Sequence, residues 1–270
     1  MVKELRERTG LGMMDCKKAL SGAEGDMEKA IEDLRKSSGM KAAKKAGRVA
    51  AEGIVVIKIA EDGNYGVILE INSETDFVSK DANFLDFTQQ TLDLAYANRD
   101  ADVAALLDAG VELAREKLVQ KVGENINVRR VDRLKFDDAN QGIVESYVHS
   151  NSQIGVIIAL RGGDETLARD IAMHIAAVNP LVVRKEDVPA DVIAKESEIY
   201  SAQARESGKP EEIIEKMISG RLNKFVAEVS LMEQPFVKNP DVKISGLLKD
   251  AGADIVNFIR YEVGEGIEKV

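Results

Sequence analysis

The run GIVVIKIAEDGNYGVILEIN, from Gly53 to Asn72, decides the fold. Its apolar residues gather in two stretches rich in β-branched side chains, Ile54 to Ala60 and Tyr65 to Asn72, and the EDGN between them carries an Asp62-Gly63 turn signal. Two such stretches across a short turn predict an antiparallel hairpin. The pattern then returns. Gly53-Ile54-Val55 precedes Gly66-Val67-Ile68 by 13 positions, and Gly142-Ile143-Val144 precedes Gly155-Val156-Ile157 by the same 13. The first hairpin is followed by a helix from about Asp81 to Asn98, with Phe84, Thr88, Thr91 and Ala95 on one side, and by a second from Asp102 to Val122 stopped by Gly123. A strand from Asn125 to Leu134 closes this half. In the second half a helix covers Glu165 to Val178 and a strand covers Ala253 to Val263. The shared order predicts an α+β fold whose core is two related subdomains, 53–139 and 140–270, each with a three-stranded antiparallel sheet.

Around this core the periodicity is helical. Val2 to Arg8, Met13 to Leu20 and a helix capped by Asp26 are separated by glycine turns, and Met27, Ala30, Ile31 and Leu34 recur on one face. Residues 1–40 therefore read as a three-helix bundle. The basic stretch KAAKKAGR, Lys41 to Arg48, lacks large apolar residues and reads as a linker or a solvated helix, giving a linker over 41–52. The second half also holds an insertion at about 187–229: a helix from Pro189 to Glu206, a SGKP turn, and a helix from Glu211 to Val229. Val192 and Ile199 would meet Ile214, Met217, Ile218 and Phe225 in the narrow seam of a projecting helical hairpin. Whether that hairpin pairs with a second copy, making a homodimer, is left open.

Composition narrows the function classes. A net charge of -10 opposes binding to phosphate backbones, and aromatics are only 4% with no tryptophan to stack on bases. No nucleic-acid partner is expected. No apolar run reaches the length of a membrane span, and the charged N-terminus lacks the apolar core of a signal peptide, so a cytoplasmic protein is expected. One cysteine and two histidines allow neither a disulfide framework nor a Cys/His zinc site, and no cofactor is expected. No phosphate-cradling GxxxxGK[ST] loop, GxSxG elbow or HExxH helix occurs. Cys16 reads as a small core residue, and His174 as the flank of a buried helical stripe. For His149, at a strand end, partner contact and plain exposure both fit. A protein partner becomes the leading expectation.

The loop Ser73-Glu74-Thr75-Asp76-Phe77-Val78-Ser79 stands between the end of a strand and the start of a helix. On sequence physics Phe77 folds under as a hydrophobic staple, with Asp76 or Asp81 capping the helix; the competing expectation is an exposed anchor.

Three segments, RTGLGMMDCKKAL (Arg8 to Leu20), NSETDFVSKD (Asn72 to Asp81) and GENINVRR (Gly123 to Arg130), closely resemble the signature segments of the elongation factor Ts family, and the likeness runs on to the terminal FIRYEVGEGIEK. The resemblance implies a ubiquitin-associated-like (UBA-like) bundle, a duplicated core and a coiled-coil hairpin. It implies a guanine-nucleotide exchange factor for the GTPase EF-Tu, without covalent chemistry. Thr75, Asp76, Phe77 and Val78 match the TDFV segment that inserts beside the nucleotide-associated Mg²⁺ of EF-Tu. Arg6, Met13, Met14 and Lys17 would meet a helix of its GTPase domain, and Ile126 and His149 match positions touching other parts of it. The chain starts shortly before the first motif and stops after GEGIEKV, where the family usually adds an N-terminal turn and a C-terminal helical module. The competing function is a non-catalytic adaptor binding through the bundle alone; an enzyme ranks third.

Overall fold

A computed structural model describes residues 1–137, 142–206 and 210–268. The expected subdomain division at 139/140 and most of the SGKP turn lie outside them.

The N-terminal bundle forms from α1 (Val2–Thr9), α2 (Met13–Gly22) and α3 (Met27–Lys45). Asp26 caps α3 by accepting the Lys29 N–H at 2.9 Å. Leu5, Leu11, Cys16, Leu20, Ala30 and Leu34 form its core, so Cys16 is a packing residue. The basic segment is helical as far as Lys45, because Ala42 reaches into the neighbouring core and Ser38 hydrogen-bonds the side chain of Gln120.

The strands β1 (Glu52–Ile59), β2 (Tyr65–Ser73) and β3 (Asn127–Lys135) form one antiparallel sheet in that order. A second sheet contains β4 (Ile143–Val148), β5 (Ile154–Arg161) and β8 (Asp254–Glu262), again with the middle strand central. Covering the first sheet are α4 (Ala82–Ala97), α5 (Val103–Leu106) and α6 (Glu112–Val122). The single helix expected from Asp102 to Val122 is broken at Gly110, whose φ of 109° is open to glycine and strained for any other residue.

Every residue of β2 is buried, and alternation along it explains why. Tyr65, Val67, Leu69 and Ile71 pack toward the helices, while Ile68 points into a cluster with Val55, Val144, Ile157 and Tyr261 that joins the two sheets back to back. On β5, Val156, Ile158 and Leu160 likewise face helices, and Ile157 and Ala159 face the other sheet. The molecule is thus layered helix, sheet, sheet, helix. The second glycine of each repeated pair sits where the sheets touch: a Cβ on Gly66 would stand 2.8 Å from Val144 Cγ1, and one on Gly155 would stand 2.5 Å from Val55 Cγ1. Bulges fall at matching places too, between Glu70 and Ile71 and between Ala159 and Leu160. The duplication seen in the sequence is therefore one of register and packing.

In the second half α7 (Glu165–Val178) packs on its sheet, and α8 (Ala190–Arg205) and α9 (Glu211–Val229) form the helical arm. Ala204 and Ile214 are buried between the arm helices, but Ile199 is exposed, off the stripe of α8 that includes Ile193 and Ser197. The arm leaves and re-enters the core at one point, where Leu181 N–H donates to Val229 O at 2.8 Å and Leu231 N–H to Val182 O at 2.9 Å. Beyond it come β6 (Pro235–Phe236), β7 (Asn239–Lys243) and α10 (Ile244–Asp250), which the sequence pattern did not foreshadow; Phe236, Ile244 and Leu248 complete the second core. His174 is fully buried there. Its Nδ1 accepts the Val237 N–H at 3.1 Å and its Nε2 pairs with Gln234 Oε1 at 2.9 Å, an arrangement that suits the neutral ring.

A polar knot binds the end of the chain to the first sheet. Glu70, with no exposed surface, accepts Gly264 N–H, Asn72 Nδ2 and Arg129 Nη1 at 2.9 Å each and Arg130 Nε at 2.6 Å. Arg130 also stacks on the Tyr261 ring, whose hydroxyl donates to Asp132 at 2.5 Å.

Candidate functional site: a clasped loop with an exposed phenylalanine

Between β2 and α4 the chain turns through Glu74 to Asp81, with a short 3-10 turn over Val78–Lys80. Side chains hold this turn because it has few ladder bonds of its own. Ser73 Oγ donates to Thr75 O at 2.9 Å, Ser79 Oγ to Asp76 O at 2.8 Å, and Asp81 caps α4 by accepting the Asn83 N–H at 2.8 Å. Val78 packs against the apolar core. Phe77 does not. It is 81% exposed, so the staple expected of it belongs to Val78, and the aromatic ring stands in solvent. A turn that tucks Val78 under directs its neighbour outward. A phenylalanine held outward on an ordered turn is presented for contact with another molecule.

Beside it, the Asp76 carboxylate accepts from Lys80 Nζ at 2.8 Å, and that bond holds its pKa below the usual carboxylate range. Asp76 is therefore an anion at neutral pH. Thr75 is gripped by Glu124 from the turn between α6 and β3: Oε2 accepts the Thr75 N–H at 3.0 Å and Oε1 its hydroxyl at 2.7 Å. Glu74 reciprocates by accepting the Asn125 N–H at 2.5 Å. Neither Glu74 nor Glu124 was singled out from the sequence. Both lie inside the motif segments, but the partner of each, Asn125 for Glu74 and Thr75 for Glu124, stands half a subdomain away along the chain and leaves no local signal.

The remaining candidates are spread over the molecule. Arg6 on α1 and Met13, Met14 and Lys17 on α2 are all exposed, leaving two large apolar side chains on the bundle surface. These four lie outside the hydrogen-bond network of the loop. His149 is exposed, with Nδ1 2.9 Å from Asn151 Oδ1. Ile126 is fully buried in the first core, so in this conformation its side chain reaches no partner surface. Among the described residues no three His, Cys, Asp or Glu side chains gather as a metal site, and no helix is long and apolar enough to cross a membrane.

Fold and site together define a class: a helical bundle joined to a duplicated α+β core that bears a helical arm and presents an exposed aromatic loop. The sequence profile described as Elongation factor TS matches residues 74–265. Curated relatives extend the likeness over the whole chain. Elongation factor Ts of Hahella chejuensis is 63% identical over 269 residues, covering 100% of this chain and 92% of the relative. That of Saccharophagus degradans is 59% identical over 270 residues, and that of Marinobacter nauticus 58% over 269, covering 92% and 91% of those relatives. The chain belongs to the elongation factor Ts family, and its role is that of a translation elongation factor.

Proposed function

We propose that the chain promotes GDP release from the GTPase EF-Tu in the cytoplasm, without covalent chemistry, by inserting the loop Thr75 to Val78 beside the Mg²⁺ and nucleotide of its partner. The observation that carries this is the 81% exposure of Phe77 on a turn whose neighbours are all tied down. An exchange factor must bind the nucleotide-free partner better than the loaded one, and by linkage GDP then weakens the factor equally. Affinity alone shifts nothing. A thousandfold loss of GDP affinity requires about 4 kcal/mol of coupling, whereas burying one phenylalanine contributes about 1.5–3 kcal/mol. Phe77 therefore acts with Asp76, whose negative charge competes for the groups that hold Mg²⁺ and so uncovers the diphosphate. The exposed Arg6, Met13, Met14 and Lys17 anchor the bundle on the GTPase domain, and His149 adds a contact from the second half.

Stopped-flow release of fluorescent GDP from EF-Tu tests this at saturating factor. The parent chain accelerates release and the Asp76→Ala/Phe77→Ala variant loses most of that acceleration while still binding. Equal rates for the two at equal occupancy would sink the insertion mechanism.

A further inference from the structure

The exposure of Phe77 leaves the clasp behind the loop without an assigned role. Three segments of chain meet there. Glu124 and Asn125 follow Gly123, which ends α6 in the left-handed conformation. Through its two oxygens Glu124 holds both the backbone and the hydroxyl of Thr75, and Glu74 holds the backbone of Asn125 in return. Asn125 then donates its side-chain N–H to Arg48 O at 2.8 Å and Ala46 O at 3.4 Å, at the end of the bundle's last helix, and Lys45 Nζ reaches Gly123 O. Bonds from N–H and O–H groups to a carboxylate are the strong kind, and these are partly shielded from water. They fix the backbone two residues before Phe77, in a turn with only a few backbone bonds of its own.

We infer that Glu124 is a positioning residue for exchange: it holds the Phe77 wedge in its inserting orientation before the partner arrives, while Asn125 ties that orientation to the bundle. The inference rests on the loop insertion proposed above. A pre-ordered wedge has less freedom to lose when it enters the partner. Loss of Glu124 therefore lowers the rate reached at saturation and leaves the half-saturating concentration, set by the bundle and second half, nearly unchanged.

The test uses the full chain as wild type, Phe77→Ala, Glu124→Ala, Glu124→Gln and the Glu124→Ala/Phe77→Ala double variant, each titrated in stopped-flow GDP release from EF-Tu. Glu124→Ala is expected to lower the plateau about tenfold, the equivalent of one charge-assisted hydrogen bond. Glu124→Gln falls between, since its amide keeps one acceptor oxygen of two. The double variant is no slower than Phe77→Ala, because Glu124 acts through Phe77. Amide exchange over residues 75–80 of the free protein quickens in both Glu124 variants while β1 to β3 keep their protection; this holds for Glu124→Gln even where the alanine variant folds poorly. A wild-type plateau in Glu124→Ala, a double variant slowed by the full product of both factors, or unchanged protection of the loop each overturns the inference. Phe77→Ala alone decides the insertion mechanism: if it keeps the wild-type plateau, that mechanism fails and the role of Glu124 falls with it, whereas a slow Phe77→Ala beside a fast Glu124→Ala refutes only the role of Glu124.

Discussion

Replacing Glu70 by glutamine perturbs one buried carboxylate and should cost about 3 kcal/mol. The side chain has no exposed surface and accepts four hydrogen bonds, two of them from Arg129 and Arg130. A glutamine keeps the shape but turns one acceptor into a donor, which then faces a guanidinium or an N–H. Breaking a buried ion pair by neutralising one partner costs about 3–5 kcal/mol. Arg129 and Arg130 are 21% and 28% exposed, so water recovers part of their solvation and the lower end applies. Urea unfolding at pH 7, followed by circular dichroism, measures the difference. The pH dependence checks the cause. Burial by itself raises the Glu70 pKa, but the bonds from Gly264, Asn72 and Arg129 and the charge of Arg130 outweigh it and leave the value lowered. A lowered folded pKa contributes stability that is complete above the ordinary value of 4.5 and disappears as pH falls through the lower folded value. The gap between parent and variant is therefore full at neutral pH and closes in acid. A loss below about 1 kcal/mol at pH 7, or a gap that widens in acid, would refute the reasoning.

The same structure fixes other outcomes. Phe77→Ala changes stability by less than about 0.5 kcal/mol in the same urea assay while slowing exchange, since the ring is largely exposed and belongs to no core cluster of its own chain. Gly66→Ala and Gly155→Ala each lose about 1–3 kcal/mol, because the added methyl collides with Ile59 and with Val144 of the facing sheet at Gly66 and with Val55 of the facing sheet at Gly155; an unchanged melting temperature in either would place the sheet contact elsewhere. Burial lowers the pKa of His174, so the unfolded state takes up a proton first and stability drops as pH falls below the ordinary value of 6.5. That slope, read from unfolding at pH 7 and pH 5, is absent in His174→Gln.

Legibility in the sequence followed the range of the interactions involved. The hairpins, the arm helices and α7 were readable because a local apolar period or a turn signal carries each. The back-to-back sheets were not, although the clue was present: Gly66 and Gly155 recur at matching positions because each faces a valine of the other sheet, and only the assembled fold supplies that valine. Hydropathy does not separate Phe77 from Val78 as the residue that turns inward; the difference lies in the bonds of the folded turn, where Val78 N–H donates to Thr75 Oγ1 and Ser79 Oγ donates to Asp76 O. Ile199 fits the apolar spacing along α8 but lies off the face that α9 covers, which the sequence of α8 alone does not reveal. Gly110 could have signalled a break, being an isolated glycine in a helical stretch. The clasp of Glu74 and Glu124 had no local signal at all.

The arm's two ends lie side by side, joined by a parallel bridge between Val182 and Ser230. A segment attached in that way is a cassette. Its removal asks the chain to step across a gap no wider than one pair of neighbouring strands running in the same direction, and the second core keeps Val183 and Leu231 to seal the cut. Length and surface chemistry of the arm are therefore free to diverge between descendants of one ancestor without disturbing the duplicated body, and the same junction is a natural place to graft a fluorescent reporter or a foreign domain.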